Sequence, residues 1–408
     1  MTIQPANPVA ELATRSVSER DAIDAAEANA VVIWRGDRLP YRSVPERIAQ
    51  ISGRAARNAL AAAHQEATEA INPLREAWYA ARLRAAREMG FDGIVALHEA
   101  AAPYRLDEVA VQAQAFLFES ETVYFAALRR YLALIDIELG DATEADLAYI
   151  LRGAGYSSWF EERDLPQLTQ RVAADLGTES PSELPDAGGH VAYASALREA
   201  GTRIAAGDAS ASADPAVNEG FGVLFERLLL DGAWLEDRLG VPESEIPVVA
   251  DFLAFTALHA LRRHAAQVIY ALRLHRGAEA RLARAYYSGT IGLITGAAAP
   301  ESDYLARLGD GLGFDSANAL RASDLAGTLR VALEAAHGRD WWRQPAALPT
   351  LRDARARGAH DARDVVAHLG YNALDWRPVL RQVRTQLIGE MSGYGGPNIT
   401  TRAGTRKV

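Results

Sequence analysis

A chain of 408 residues that is 49% hydrophobic can bury a large core, which excludes general disorder. A net charge of -10 argues against a nucleic-acid partner, because no overall basic field draws phosphate. With no cysteine, the chain has no disulfide, thiolate zinc site, iron–sulfur cluster or cysteine nucleophile.

Ala, Leu, Arg and Glu dominate and β-branched runs are few, so the expected fold is all-α or nearly so. Lys407 is the single lysine, a bias that fits a GC-rich bacterial genome and carries no functional weight. Residues 1 to 20 lack the basic start and apolar stretch of a signal peptide, and no apolar run approaches a membrane span. The expectation is a cytoplasmic protein with no membrane partner.

The run AVVIWRG (30–36) reads as a strand or a packed extended segment. A helix starts at Pro45, after Ser43, and is expected to break at Asn72 and Pro73, with a second helix to Gly90. From Leu106 to Leu139 a core helix places Val109, Ala113, Phe116, Val123, Ala127, Tyr131 and Leu134 on one face. Asp141 with Glu144 reads as a capping pair for a helix ending at Gly153, where another begins. DLGTESPSELPDAGGH (175–190) is the clearest break, a hinge expected over 178–190. Further helices are expected near 191–206, 215–239, 246–276, 278–297, 301–308, 316–338 and 361–389. The implied organisation is an N-terminal segment (1–44), a helical subdomain (45–177), the hinge, a second helical subdomain (191–390) and a flexible tail (391–408).

The chemistry concentrates near residue 200. VNEGFGVLFERLLLDGAWL (217–235) resembles the third-ligand helix of the oligoendopeptidase-type, thimet-like zinc metallopeptidases. Residues 147–177, 258–277, 303–342 and 369–384 follow that family in order. The resemblance implies a large multi-helix gluzincin scaffold, with the strand-rich segment before the zinc helix reduced or deleted. In such a site two histidines at i and i+4 aim their imidazoles from one helix face at one ion, and the intervening glutamate activates the bound water.

Here the corresponding residues are Arg198, Glu199, Ala200, Gly201 and Thr202, with Glu219 at the third-ligand position. Arg198 offers only donors and a fixed positive charge, so it cannot ligate zinc. A neutral Thr202 hydroxyl is a poor substitute for imidazole, and Glu219 alone does not hold the ion. None of the nine histidines lies three or four residues from another. In GFDSANALRAS (313–323) the family's aromatic hydroxyl positions carry Asp315, Ala319 and Ser323, and the resemblance places Asp315, Asn318 and Arg321 in the cleft.

These departures favour a degenerate peptidase that does not hydrolyse peptides, uses no metal or other cofactor, and binds a small molecule, a peptide or a partner protein in the former active-site cleft. A second reading is a metal-free enzyme of specialised metabolism in which Glu199 is the acid or base and Arg198 grips an anionic substrate. A third is an active zinc oligopeptidase. With the ion gone, Arg198 is expected to hydrogen-bond Glu219, Glu199 or both.

Overall fold

The computed structural model describes residues 7–178, 188–207, 210–277, 280–309 and 311–387. Of the hinge expected over 178–190, residues 179–187 lie outside the described residues, while Gly189 and His190 already belong to a helix; the tail falls entirely outside them. Among those described, seventeen α-helices and one short hairpin make the chain an all-α protein, and no helix is long and apolar enough to cross a membrane.

Helices α1 (Pro8–Arg15) and α2 (Val17–Asn29) lead into strands β1 (Val31–Trp34) and β2 (Asp37–Pro40). The strands pair antiparallel with Val31 opposite Pro40 and Trp34 opposite Asp37. Arg35 and Gly36 turn the chain with φ of 54° and 89°, the pair of positive values a tight two-residue hairpin needs. The ambiguous run at 30–36 is therefore a strand and its turn.

After α3 (Val44–Gln50), helix α4 (Arg54–Glu88) runs for 35 residues straight through Pro73. The expected break at Asn72 and Pro73 does not occur. Proline removes one helical hydrogen bond, and a buried network brackets the gap: Asn72 Nδ2 donates to Glu69 at 3.0 Å and to the Ser302 carbonyl at 2.9 Å. Arg75 Nη1 donates to Asn72 Oδ1 and to the Thr68 carbonyl at 3.0 and 3.1 Å.

Helix α5 (Ile94–Ala101) precedes α6 (Leu106–Ala133), which stops short of the expected Leu139; Asp136 just beyond it takes φ of 55°. Helix α7 (Glu144–Leu151) is capped by Thr143 and Asp146, not by Asp141 and Glu144. The Thr143 side chain accepts from the Asp146 amide and the Asp146 carboxylate accepts from the Thr143 amide, while Arg57 pairs with the same carboxylate at 2.5 Å. The helix expected to begin at Gly153 is only a 3-10 turn over Ala154–Trp159, followed by α8 (Leu165–Asp175).

The second half contains α9 (Gly189–Ala206), α10 (Pro215–Glu226), α11 (Gly232–Leu239), α12 (Ile246–His275), α13 (Ala280–Thr295), α14 (Asp315–His337), α15 (Ala347–Arg357), α16 (Ala362–His368) and α17 (Arg377–Gln386). The single helix expected over 215–239 is two, because Asp231 leaves helical geometry and caps α11 by accepting from the Ala233 and Trp234 amides at 2.9 and 3.3 Å. The span 361–389 likewise divides into α16 and α17. Residues 301–308 hold one 3-10 turn, Glu301–Tyr304, and α15 had no counterpart in the sequence reading.

Helix α12 is the spine. It packs on α6, α13, α14 and α17 and buries nearly every face, so its polar residues need partners. Arg130 and Tyr131 of α6 bond Asp251, Tyr124 of α6 bonds His259, and Arg262 reaches the Leu117 and Ile294 carbonyls and the Ser120 hydroxyl.

Candidate functional site

Glycines bring α9 and α10 into close contact. A Cβ at Gly222 would lie 2.7 Å from the Arg198 Cγ, the Arg198 carbonyl oxygen and the Thr202 Oγ1. A Cβ at Gly201 would strike the Phe225 ring at 2.5 Å, and one at Gly220 would meet Leu325 of α14 at 2.7 Å. The stripe sets Arg198 and Thr202 against the face of α10 that carries Glu219 and Glu226.

Arg198 donates from Nε to Glu226 Oε2 at 2.7 Å, and its Nη2 lies 2.5 Å from the same oxygen. It bonds neither Glu219 nor Glu199, so the expected replacement of the ion by an Arg198–Glu219 or Arg198–Glu199 pair is not what forms. The reason is geometric. Gly222, against which Arg198 packs, lies roughly midway along α10 between Glu219 and Glu226, and the guanidinium turns toward the later one. Glu199 pairs instead with Arg203 one turn along α9, and the Thr202 hydroxyl donates to the Arg198 carbonyl at 3.0 Å. Glu219 is half-buried with no hydrogen-bond partner among the described residues. Burial raises its pKa, with Arg198 opposing the rise and Asp315 and Asp214 adding to it.

Beside this seam lies a cavity of about 140 Å³ between α9, α10, α12 and α14, whose wall includes Arg198, Glu226, Arg227, His190, His264 and Ser323. His190 packs edge-on against Phe160 and Phe252, and its buried Nε2 has no hydrogen-bond partner among the described residues. His264 shares a hydrogen bond from Nδ1 with the Ser316 hydroxyl at 3.1 Å. Burial pushes both imidazoles down to about 4, helped at His264 by Arg198 and Arg263, so both are neutral near pH 7. Arg227 is only 7% exposed and bonds the carbonyl and hydroxyl of Ser323. Among the described residues no carboxylate lies within ion-pair distance of it, and burial lowers its pKa to about 10.

No protein-family model matches the sequence, and no curated protein is similar to it at the sequence level. Among solved structures, PZ peptidase A with an inhibitor superposes with a TM-score of 0.65 at 12% identity, over 94% of this chain and 77% of that one. The fold is that of PZ peptidase A. The all-α, peptidase-like scaffold expected from the sequence is therefore present.

On this PZ peptidase fold, the zinc that the sequence resemblance implies does not fit the residues present. Arg198 and Thr202, which the sequence resemblance aligns with the two ligand histidines, offer no imidazole, and the Arg198 guanidinium puts fixed positive charge beside Glu219. Among the described residues no group of three or more His, Cys, Asp or Glu is placed to hold a metal ion.

The expected cleft residues of α14 divide. Arg321 is buried and grips Asp214 through two hydrogen bonds of 2.8 and 2.7 Å, reaches Asp361 at 3.4 Å, and lies over the Tyr104 ring at 4.1 Å. Asn318 accepts from the Tyr104 hydroxyl at 2.8 Å. Both work as a latch joining α10, α14 and α16 to the Tyr104 loop, and Asp315 is exposed at the start of α14. Sequence reasoning missed Glu226, Arg227, His190 and His264 as members of the cavity. The one available signal was Glu226, seven residues after Glu219 and so on the same helical face.

Proposed function

We propose that this chain is a catalytically degenerate, peptidase-like protein that does not hydrolyse peptides and whose cleft takes a small molecule bearing an anionic group. The observation that carries this reading is the guanidinium of Arg198, tied to Glu226, at the position that the sequence resemblance aligns with a zinc-ligating imidazole. Arg227 adds the ligand class. A buried cation without a carboxylate counter-ion is costly, and a ligand carboxylate or phosphate entering the cavity would supply the missing charge, with neutral His190 and His264 as further hydrogen-bonding groups.

The test has two arms. Protein incubated with zinc chloride and desalted should carry no stoichiometric zinc by elemental analysis and should leave internally quenched peptides intact. In thermal-shift titrations, small dicarboxylates or phosphate monoesters should raise the melting temperature of the native chain and not that of Arg227→Met. One zinc per chain together with chelator-sensitive peptide hydrolysis would overturn the reading.

A second reading, a metal-free enzyme, is favoured at one point. Glu219 combines a raised pKa with the absence of a hydrogen-bond partner among the described residues, which suits an acid or base better than Glu199, whose carboxylate is engaged by Arg203. On this reading Glu219→Gln abolishes turnover of a bound substrate and leaves its affinity nearly intact.

A further inference from the structure

A second cavity, of about 190 Å³, opens between α6, α12, α14 and the segment leading into α17. It shares only Leu261 and Ser323 with the cavity over Arg198, and the two are read by different ligands, although Arg227 of the first acts electrostatically on Asp324 of the second. Its interior is apolar and aromatic. Phe116 and Trp376 meet edge to face at 6.0 Å, and Val109, Leu261, Leu320 and Val379 complete the walls. Gln112, Asn372 and Ala373 are exposed at the rim.

The charged groups around this cavity are unequally satisfied. Arg321 is held by Asp214 and Arg363 by Asp361, at 2.7 and 2.6 Å, so both guanidiniums on the wall are already neutralised. The two carboxyls are not. Glu108 at the rim and Asp324 within have no ion pair or side-chain hydrogen bond among the described residues. A ligand entering therefore meets an apolar, aromatic cage whose two carboxyls make no ion pair or side-chain hydrogen bond among the described residues, with Arg227 and Arg321 acting on Asp324 only from beyond ion-pair distance.

We propose that this cavity is a binding site for a small apolar primary amine, its ring or alkyl body caged by Phe116, Trp376, Leu261 and Val379 and its ammonium hydrogen-bonded to the Asp324 carboxyl. The site is small, which sets the occupant at one ring or a short branched chain rather than a peptide.

The state of Asp324 makes the binding measurable by a second route. Burial pushes its pKa up to about 8, with Arg227 and Arg321 opposing the rise and Asp375 adding to it, so near pH 7 the free protein holds the carboxyl mostly protonated. An ammonium placed against it favours the carboxylate, and the Asp324 proton leaves to the buffer while the amine keeps its own. Binding at pH 7 is thus accompanied by release of about one proton.

Benzylamine is the probe, with benzyl alcohol as its uncharged counterpart. Calorimetric titration of the full chain at pH 7 should show saturable benzylamine binding whose heat differs between phosphate and Tris by the ionisation heat of about one proton. Benzyl alcohol should bind about tenfold more weakly or worse, the loss expected when a charge-assisted hydrogen bond is given up. Asp324→Asn, nearly isosteric and uncharged, should remove the proton release and weaken benzylamine about tenfold. Ala373→Trp, which fills the rim from an exposed position, should block entry without touching the core. No saturable heat with benzylamine, equal binding of benzyl alcohol, or unchanged benzylamine affinity in Asp324→Asn would each overturn the proposal.

Discussion

Two arginines that the sequence places in one cleft should differ sharply in what their removal costs. The Arg198 side chain is 46% exposed and its partner Glu226 26%, so the pair sits largely in water, and such pairs contribute about 0.2 to 1 kcal/mol. The Arg321 side chain is 6% exposed and Asp214 is fully buried. Arg321→Ala removes both hydrogen bonds to Asp214 and leaves a buried carboxylate with only the Ala216 and Ala362 amides, each at 3.0 Å. Breaking a buried pair in this way costs about 3 to 5 kcal/mol. Urea unfolding followed by far-UV circular dichroism should place the Arg198→Ala midpoint close to the native one and the Arg321→Ala midpoint well below it. The double change Arg321→Met with Asp214→Asn should recover part of the loss, because the asparagine oxygen still caps α10 and no unpaired charge remains. A larger loss for Arg198→Ala than for Arg321→Ala would refute the assignment of Arg321 to the latch and of Arg198 to the exposed seam.

Five histidines, two buried and three half-buried, predict the acid limb of stability. Burial lowers His98, His190, His264 and His275 to about 4 and His259 to about 3, whereas an unfolded histidine titrates near 6.5. The unfolded chain then binds more protons between those values, so this contribution is complete above pH 6.5 and falls away as the pH drops toward 4; at pH 5.5 the five rings take up about four protons on unfolding and Asp324 releases about one, so a net uptake of about three should be read from the buffer dependence of the calorimetric enthalpy, and zero uptake would contradict the burial of these rings. Gly222→Ala should lower stability by about 1 to 3 kcal/mol in the same urea assay, since one of the three atoms it strikes is the Arg198 backbone carbonyl, which cannot swing aside, while a neutral outcome would mean that α9 and α10 are not in the contact described.

Helices whose apolar residues recur on one face were legible in the sequence, and so was their assembly into a peptidase-like scaffold. What misled was local chemistry answered from a distance. Pro73 signals a break by every local rule, and the helix continues because Asn72 and Arg75 find partners at Ser302 and Thr68. Asp141 and Glu144 have capping spacing, yet Thr143 and Asp146 have it too, and only the buried Arg57 decides between them. The site follows the same division. That α9 and α10 face each other could be read from their order, whereas Arg198's choice of Glu226 over Glu219 depends on where one helix crosses the other. His190 and His264 are 74 positions apart by their numbering and share a cavity only because α9 and α12 line it together.

The way α9 and α10 are joined also explains how the scaffold stands with a ligand set that cannot hold zinc. In a metal site an ion ties two helices together through side chains, and metal binding then contributes to folding. Here the backbones themselves interlock. Gly201 accepts the Phe225 ring, Gly222 accepts the shaft of Arg198, and Gly220 accepts Leu325, so α10 is clasped between α9 and α14. The buried Asp214 then fastens the start of α10 to Arg321 and to the Ala362 amide. None of these contacts passes through Glu219. The seam is thus held by backbone contact, and an arginine at position 198 in place of a metal ligand deprives the fold of no cross-link. That independence lets the side chains lining the cavity beside the seam change while the helices that frame it keep their places.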